Sequence, residues 1–191
     1  MRTNLTRWSL ALIVIAFSGM AQAHPGHEGG YLAGLSHSFT GLDHLLATLA
    51  VGVWAAQLGG RAKYLVPASF IACMAVAGGI GMSGIALPTV ESWIATSVVL
   101  LGLLIAFSIK VPVALSASIV GLFAVFHGYA HGAEMPLLST PWVYGMGFVL
   151  STAALHGMGL LLGQGLHKQI AWLRAIGILL VASGAGMMAM A

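Results

Sequence analysis

Residues 111–134 read VPVALSASIVGLFAVFHGYAHGAE, and the way this stretch is read decides the fold. A helix needs about 20 apolar residues to cross the roughly 30 Å hydrocarbon layer of a bilayer. Residues 111–132 supply them, interrupted only by His127 and His131 as ionisable groups. Such groups are costly at membrane depth and are usually retained for function. Residues four apart share a helix face, so the two imidazoles can grip one ion. Glu134, three residues past His131, adds an oxygen if the helix continues.

Five further apolar segments lie around this one, at 41–58, 64–86, 91–109, 142–165 and 170–190. The breaks between segments fall at Gly59-Gly60, Pro88, Pro112, Pro136 to Pro141, and His167 to Gln169. Only Lys110-Val111-Pro112 separates the third span from the fourth, which makes them a tight hairpin. The expected fold class is therefore an all-α integral membrane protein, a bundle of six transmembrane helices. Composition agrees: 59% of residues are hydrophobic and 6% charged, against about 25% charged in soluble domains. Mean hydropathy is +0.99. No polar stretch is long enough for a second domain. The 26 glycines suit close helix approach in lipid, and most of the ten methionines read as soft packing. Cys73, the single cysteine, excludes an internal disulfide and a thiolate cluster.

The N-terminus reads as a leader. Arg2 and Arg7 precede an apolar core from Trp8 to Gly19, and Ala21-Gln22-Ala23 forms a small-x-small cleavage signal. A signal peptide over 1–23 leaves a permease domain over 24–191; an uncleaved anchor is the alternative. Cleavage would expose His24-Pro25-Gly26-His27-Glu28. A terminal His24 offers amine and imidazole to one ion, and His27 and Glu28 add ligands. Pro25 has no N–H to contribute. These residues form either a weak capture site or a plain polar tail.

Basic residues favour the cytoplasmic side. With the N-terminus outside, Arg61, Lys63, Lys110, Lys168 and Arg174 all fall inside, while Glu28, Asp43, Glu91 and Glu134 fall toward the exterior. Six spans bring the C-terminus back outside as well. The basic residues are scattered at segment ends, which argues against nucleic acid despite a net charge of +3.

A second cluster, His37-Ser38-Phe39-Thr40-Gly41-Leu42-Asp43-His44, opens the first span. Asp43 and His44 point about 100° apart on a helix, so one can ligate while the other orients it. His37 lies two turns before His44 or in the loop above. Both clusters sit in the outer half of the bilayer and converge if the first and fourth helices are neighbours. The two run in opposite directions, which hints at an inverted three-plus-three arrangement. Imidazole with carboxylate suits nickel, cobalt, zinc or copper rather than magnesium or calcium. His156 lies mid-span on nearly the same face as His167 and marks either a path inward or a packing wall. Glu91 reads as an interfacial helix start and His167 as a solvated cytoplasmic end.

The paired signatures resemble the HupE/UreJ family of membrane metal permeases. His37-x5-Asp43-His44 matches its first motif, and Phe126-His127-Gly128-x-Ala130-His131-Gly132-x-Glu134 matches its second. The His24-Pro25-Gly26-His27 start after a leader is also similar. The resemblance covers nearly the whole mature chain. It implies uptake of nickel, in some members cobalt, across a bacterial inner membrane to supply enzymes such as hydrogenase or urease. His37, Asp43, His44, His127, His131 and Glu134 are the positions it carries over.

The metal is then a transported substrate, no permanently bound cofactor is expected, and homo-oligomerisation stays open. No Gly-x4-Gly-Lys-Ser/Thr loop is present, so the chain carries no ATPase of its own. An inside-negative potential contributes about 2.3 kcal/mol per charge per 100 mV and can draw a divalent ion inward. Three rival readings remain. Gly81-Met82-Ser83-Gly84 with His156 has the look of a rhomboid-like serine hydrolase. Facing histidines can bind haem. A membrane metal sensor would bind the ion without moving it.

Overall fold

The computed structural model describes residues 30–136 and 139–191. The expected leader and the His24, His27 and Glu28 capture site lie outside the described residues. Seven helices and no strands occur among the described residues: α1 (Tyr31–Thr40), α2 (Leu42–Leu58), α3 (Ala62–Met82), α4 (Val90–Ala106), α5 (Val113–Ala133), α6 (Pro141–Gly165) and α7 (Ile170–Met188).

The breaks sit where backbone chemistry demands them. Gly59 and Gly60 take φ of +76° and +51° between α2 and α3, a conformation that costs glycine least. Pro112 caps α5 and Pro141 begins α6, positions where a missing N–H leaves no helical bond unmade. Helices α3, α5, α6 and α7 are each long and apolar enough to cross a membrane. Helices α1 and α2 pass the same test together as one span bent by 82°. Helix α4 is a shorter apolar helix of 17 residues, about 25 Å long at 1.5 Å per residue. The described residues therefore hold four or five candidate spans by length and composition. Helix α1 is an addition to the six expected segments, and the kink at Gly41 separates it from α2.

Polarity is distributed for lipid rather than water. Leu115, Leu122, Leu150, Leu161 and Leu179 are exposed, whereas His44, Thr48, Ser97, His127, Thr152 and His156 are buried. In a bilayer an apolar exterior is solvated by acyl chains, and polar groups turn inward to find partners.

Three helix pairs carry most of the packing: α3 with α5, α4 with α7, and α2 with α6. Glycines set how closely all three of them approach. A Cβ on Gly128 or Gly132 of α5 would overlap the main chain of α3 at Met74 and Gly78. A Cβ on Gly52 of α2 would likewise meet the main chain of α6 at His156 and Leu160. The same contacts give direction. Met74 meets Gly128 and Gly78 meets Gly132, so α3 and α5 run parallel. His44 meets Thr152 and Thr48 meets His156, so α2 and α6 run parallel. Gly102 meets Gly177 while Ala95 meets Gly184, so α4 and α7 run antiparallel. These are the directions produced when each helix from α2 to α7 reverses the one before. Exchanging α2–α4 with α5–α7 also maps this set of pairs onto itself, the pattern of a three-plus-three repeat.

Candidate metal centre

The two histidine clusters meet. His44, His127 and His131 each offer a ring nitrogen, and the three atoms lie within 4.8 Å of one another. Ring centroids are 5.6 Å apart for His44 and His127 and 4.6 Å for His44 and His131. All three side chains are buried. Helices α2 and α5 make only sparse backbone contact; the imidazoles fill the space between them.

Hydrogen bonds around this deep trio set the direction of the free lone pairs. Ser97 Oγ donates to the Ile94 carbonyl at 2.6 Å, so it accepts from His127 Nε2–H at 3.0 Å. The neutral ring then keeps an unprotonated Nδ1, which has no hydrogen-bond partner among the described residues. Thr152 Oγ1 donates toward Met74 Sδ at 3.8 Å and accepts from His44 Nε2–H at 3.2 Å. His44 Nδ1 is likewise left without a partner, as is His131 Nδ1. A hydrogen bond at one ring nitrogen fixes which nitrogen can bind metal. The two buried acceptors His44 Nδ1 and His127 Nδ1, left without donors, are costly unless a cation fills the gap.

A second trio lies outward. His37, His131 and Glu134 also bring ligand atoms within 4.8 Å. His37 Nε2 is 3.3 Å from Glu134 Oε2, and His131 Nδ1 is 3.9 Å from the same oxygen. His37 comes from α1, which packs along α6 and brings its ring centroid to 4.7 Å from that of His131. Gly34 and Ser38 make that docking close: a Cβ on Gly34 would collide with the main chain of α6 near Tyr144, and Ser151 Oγ donates to Ser38 Oγ at 2.6 Å. His131 belongs to both trios.

This mouth opens onto a cavity of about 270 Å3 lined by His37, Asp43, Glu91, His131 and Glu134 among others. Asp43 stands on its wall rather than among the convergent atoms; its Oδ1 accepts the His44 N–H at 2.7 Å. Glu91, expected only as a helix start, lines the same cavity and places a third carboxylate at the mouth. Ser97 was not anticipated, nor was Tyr144, whose buried hydroxyl lacks a partner among the described residues beside His37. Mid-helix hydroxyls one helix away from a histidine carry no distinctive signal in one sequence. For Ser38, Ser151 and Gly147, the i,i+4 recurrence of small residues on α1 and α6 was a usable sign.

His156 is buried one turn below His44. Its Nδ1–H donates to the Thr48 carbonyl at 2.9 Å, and its Nε2 has no partner. Ser83 is exposed at the end of α3 and donates to the Ile80 carbonyl at 2.6 Å. The serine-hydrolase pairing of Ser83 with His156 is therefore corrected: their hydroxyl and imidazole serve different partners. The haem reading is corrected too, because rings with centroids 4.6–5.6 Å apart leave no slot for a macrocycle. His167 is exposed beyond α6, bonded to the Gln164 carbonyl.

Residues 12–187 match the profile of a family described as HupE / UreJ protein. One relative, Protein HupE of Rhizobium leguminosarum bv. viciae, is 49% identical over 150 residues, covering 78% of this chain and 78% of its own. No solved structure matches the chain.

Proposed function

The chain belongs to the HupE / UreJ family, and from that membership we propose that it carries a divalent transition metal inward across the bacterial inner membrane, nickel ahead of cobalt. The family is associated with nickel and cobalt uptake and with hydrogenase and urease accessory roles; its members are not enzymes. The observation that carries the reading is the deep trio: three buried imidazoles from two helices, each offering a ring nitrogen within 4.8 Å of the others.

The ion enters through the cavity whose wall carries Asp43, Glu91 and Glu134. It binds first at His37, His131 and Glu134, then passes to His44, His127 and His131 as His131 exchanges one set of partners for the other. His24, His27 and Glu28 act ahead of this as a capture site, and His156 lies on the path inward. The chain crosses the membrane six times after loss of residues 1–23, with both mature ends in the periplasm. The alternating helix directions and the siting of Arg61, Lys63, Lys110, Lys168 and Arg174 support that topology. The membrane potential drives the ion, with no ATPase in the chain. The metal delivered serves a nickel enzyme.

Uptake of nickel and cobalt into proteoliposomes under an inside-negative potential tests the proposal. Wild type should show saturable uptake, lost in His127→Ala/His131→Ala. Metal binding without uptake by folded, correctly oriented protein would replace the permease with a sensor.

A further inference from the structure

The floor of the deep trio is a single aromatic ring. Phe70 of α3 is fully buried, and its centroid lies 5.7 Å from that of His127 and 6.4 Å from that of His44. On its other side it meets His156 edge to face, with centroids 5.1 Å apart and planes at 88°. The helix directions fix its depth. Met74 contacts Thr152, which is bonded to His44, so Met74 is level with the trio. Phe70 is one turn earlier on α3, which runs parallel to α5 and so rises toward the histidines. It is therefore one turn deeper, at the level of His156 and its partner Thr48.

His156, like His44 and His127, has one ring nitrogen bonded and the other free, but in the opposite tautomer. The Thr48 carbonyl can only accept, so Nδ1 holds the proton and Nε2 keeps a lone pair that no donor meets. Thr48 binds back to the trio's own helix through its hydroxyl, which donates to the His44 carbonyl. Below this level Val51, Trp54, Val66, Ile105 and Leu173 are buried and apolar. Trp54 closes the inner end by donating its Nε1–H to the Ile109 carbonyl at 3.0 Å.

We propose that Phe70 is the gate beneath the three-histidine site, and that His156 Nε2 is the ligand that receives the metal when the ring swings aside. What passes the gate rests on the uptake reading; the gate itself rests on packing alone. The structure has the mouth open to His131 and the passage shut at Phe70, the arrangement of an outward-facing state. A phenyl ring suits this task because it has no polar atom to compete for the ion, and only its torsions need change to clear the way.

The test uses full-length protein carrying Phe70→Ala, Phe70→Leu or Phe70→Trp. Diethyl pyrocarbonate, added in detergent, labels unprotonated accessible imidazole nitrogens, and mass spectrometry reads each histidine separately. His167, exposed and remote, serves as the internal reference. Labelling of His156 relative to His167 should rise about tenfold from Phe70→Trp to Phe70→Ala, as expected when a local barrier to opening is removed. Phe70→Leu should fall between, and it carries the test alone if Phe70→Ala does not fold. Nickel uptake in proteoliposomes should follow the same order. His156 remaining protected in folded Phe70→Ala or Phe70→Leu overturns the gate. So does nickel uptake that is equal across the series in a transporting protein. Labelling that follows the series while wild type moves no metal upholds the gate and overturns the uptake reading. Wild-type uptake with flat labelling does the reverse.

Discussion

The deep trio and the mouth trio share His131 and are built on opposite principles. His44 and His127 are buried and held from behind by Thr152 and Ser97. At the mouth, His37 is 27% exposed and Glu134 55%, and among the described residues the carboxylate meets only the His37 and His131 rings, at 3.3 and 3.9 Å. Rigid imidazoles in a dry setting select by ligand type and geometry. A half-exposed carboxylate beside two more attracts any cation and holds it loosely. Under the proposed uptake, the difference gives choice to the deep trio and recruitment to the mouth.

Replacing the shared residue is the hardest test of that division. His131→Ala removes a ligand from both trios, so nickel uptake should fall by more than about a hundredfold, beyond what losing an outer hydrogen-bond partner costs. Uptake assays in proteoliposomes, alongside equilibrium nickel binding, should both show it. Near-normal uptake would mean that neither trio handles the ion. His127→Ala strips the deep trio alone. It should leave weak binding at the mouth while uptake drops on the order of a hundredfold, as for a ligand on the path. If binding vanishes as well, the mouth is no separate station.

Much of the fold was legible because apolar length is a long-range signal. The segments expected at 64–86, 142–165 and 170–190 correspond to α3, α6 and α7 within a few residues. Helix α1 was missed because Ser36, His37, Ser38 and Thr40 hide it from hydropathy, although a bent pair satisfies the bilayer as one span. The candidate ligand histidines could be named because imidazoles are rare in lipid. Their convergence could not, because it depends on how α2 and α5 stand relative to each other, and one sequence does not state which helices are neighbours. Glu91 was read from its place in the first turn of α4; that it also faces Asp43 and Glu134 across a cavity is a tertiary fact.

The hydroxyls behind the deep trio sharpen the comparison with a smaller expected effect. Ser97→Ala removes the acceptor that holds His127 Nε2–H, so the ring can take the tautomer that blocks Nδ1. Loss of such an outer partner costs about tenfold or somewhat more in metal affinity. Thr152→Val should act in the same way through His44. Nickel titration of purified protein measures both, and restoration by Ser97→Thr separates the hydrogen bond from a packing defect. If Ser97→Ala binds nickel as wild type does, the deep trio needs no orientation and its contrast with the mouth weakens.

The smallest effect belongs to Glu134→Gln, and its form matters more than its size. The substitution keeps the shape and one oxygen but removes a charge at the exposed end of the mouth. If that carboxylate recruits rather than selects, the half-saturating nickel concentration should rise about fivefold at low ionic strength, and the difference should shrink as salt screens the remaining carboxylates. The maximal uptake rate and the preference for nickel over cobalt should stay as in wild type, because the ion no longer touches Glu134 once it reaches His44 and His127. A changed metal preference in Glu134→Gln, or a defect that persists in high salt, would make Glu134 a ligand of the selective step. The two trios would then act as one five-residue site instead of two stations sharing His131.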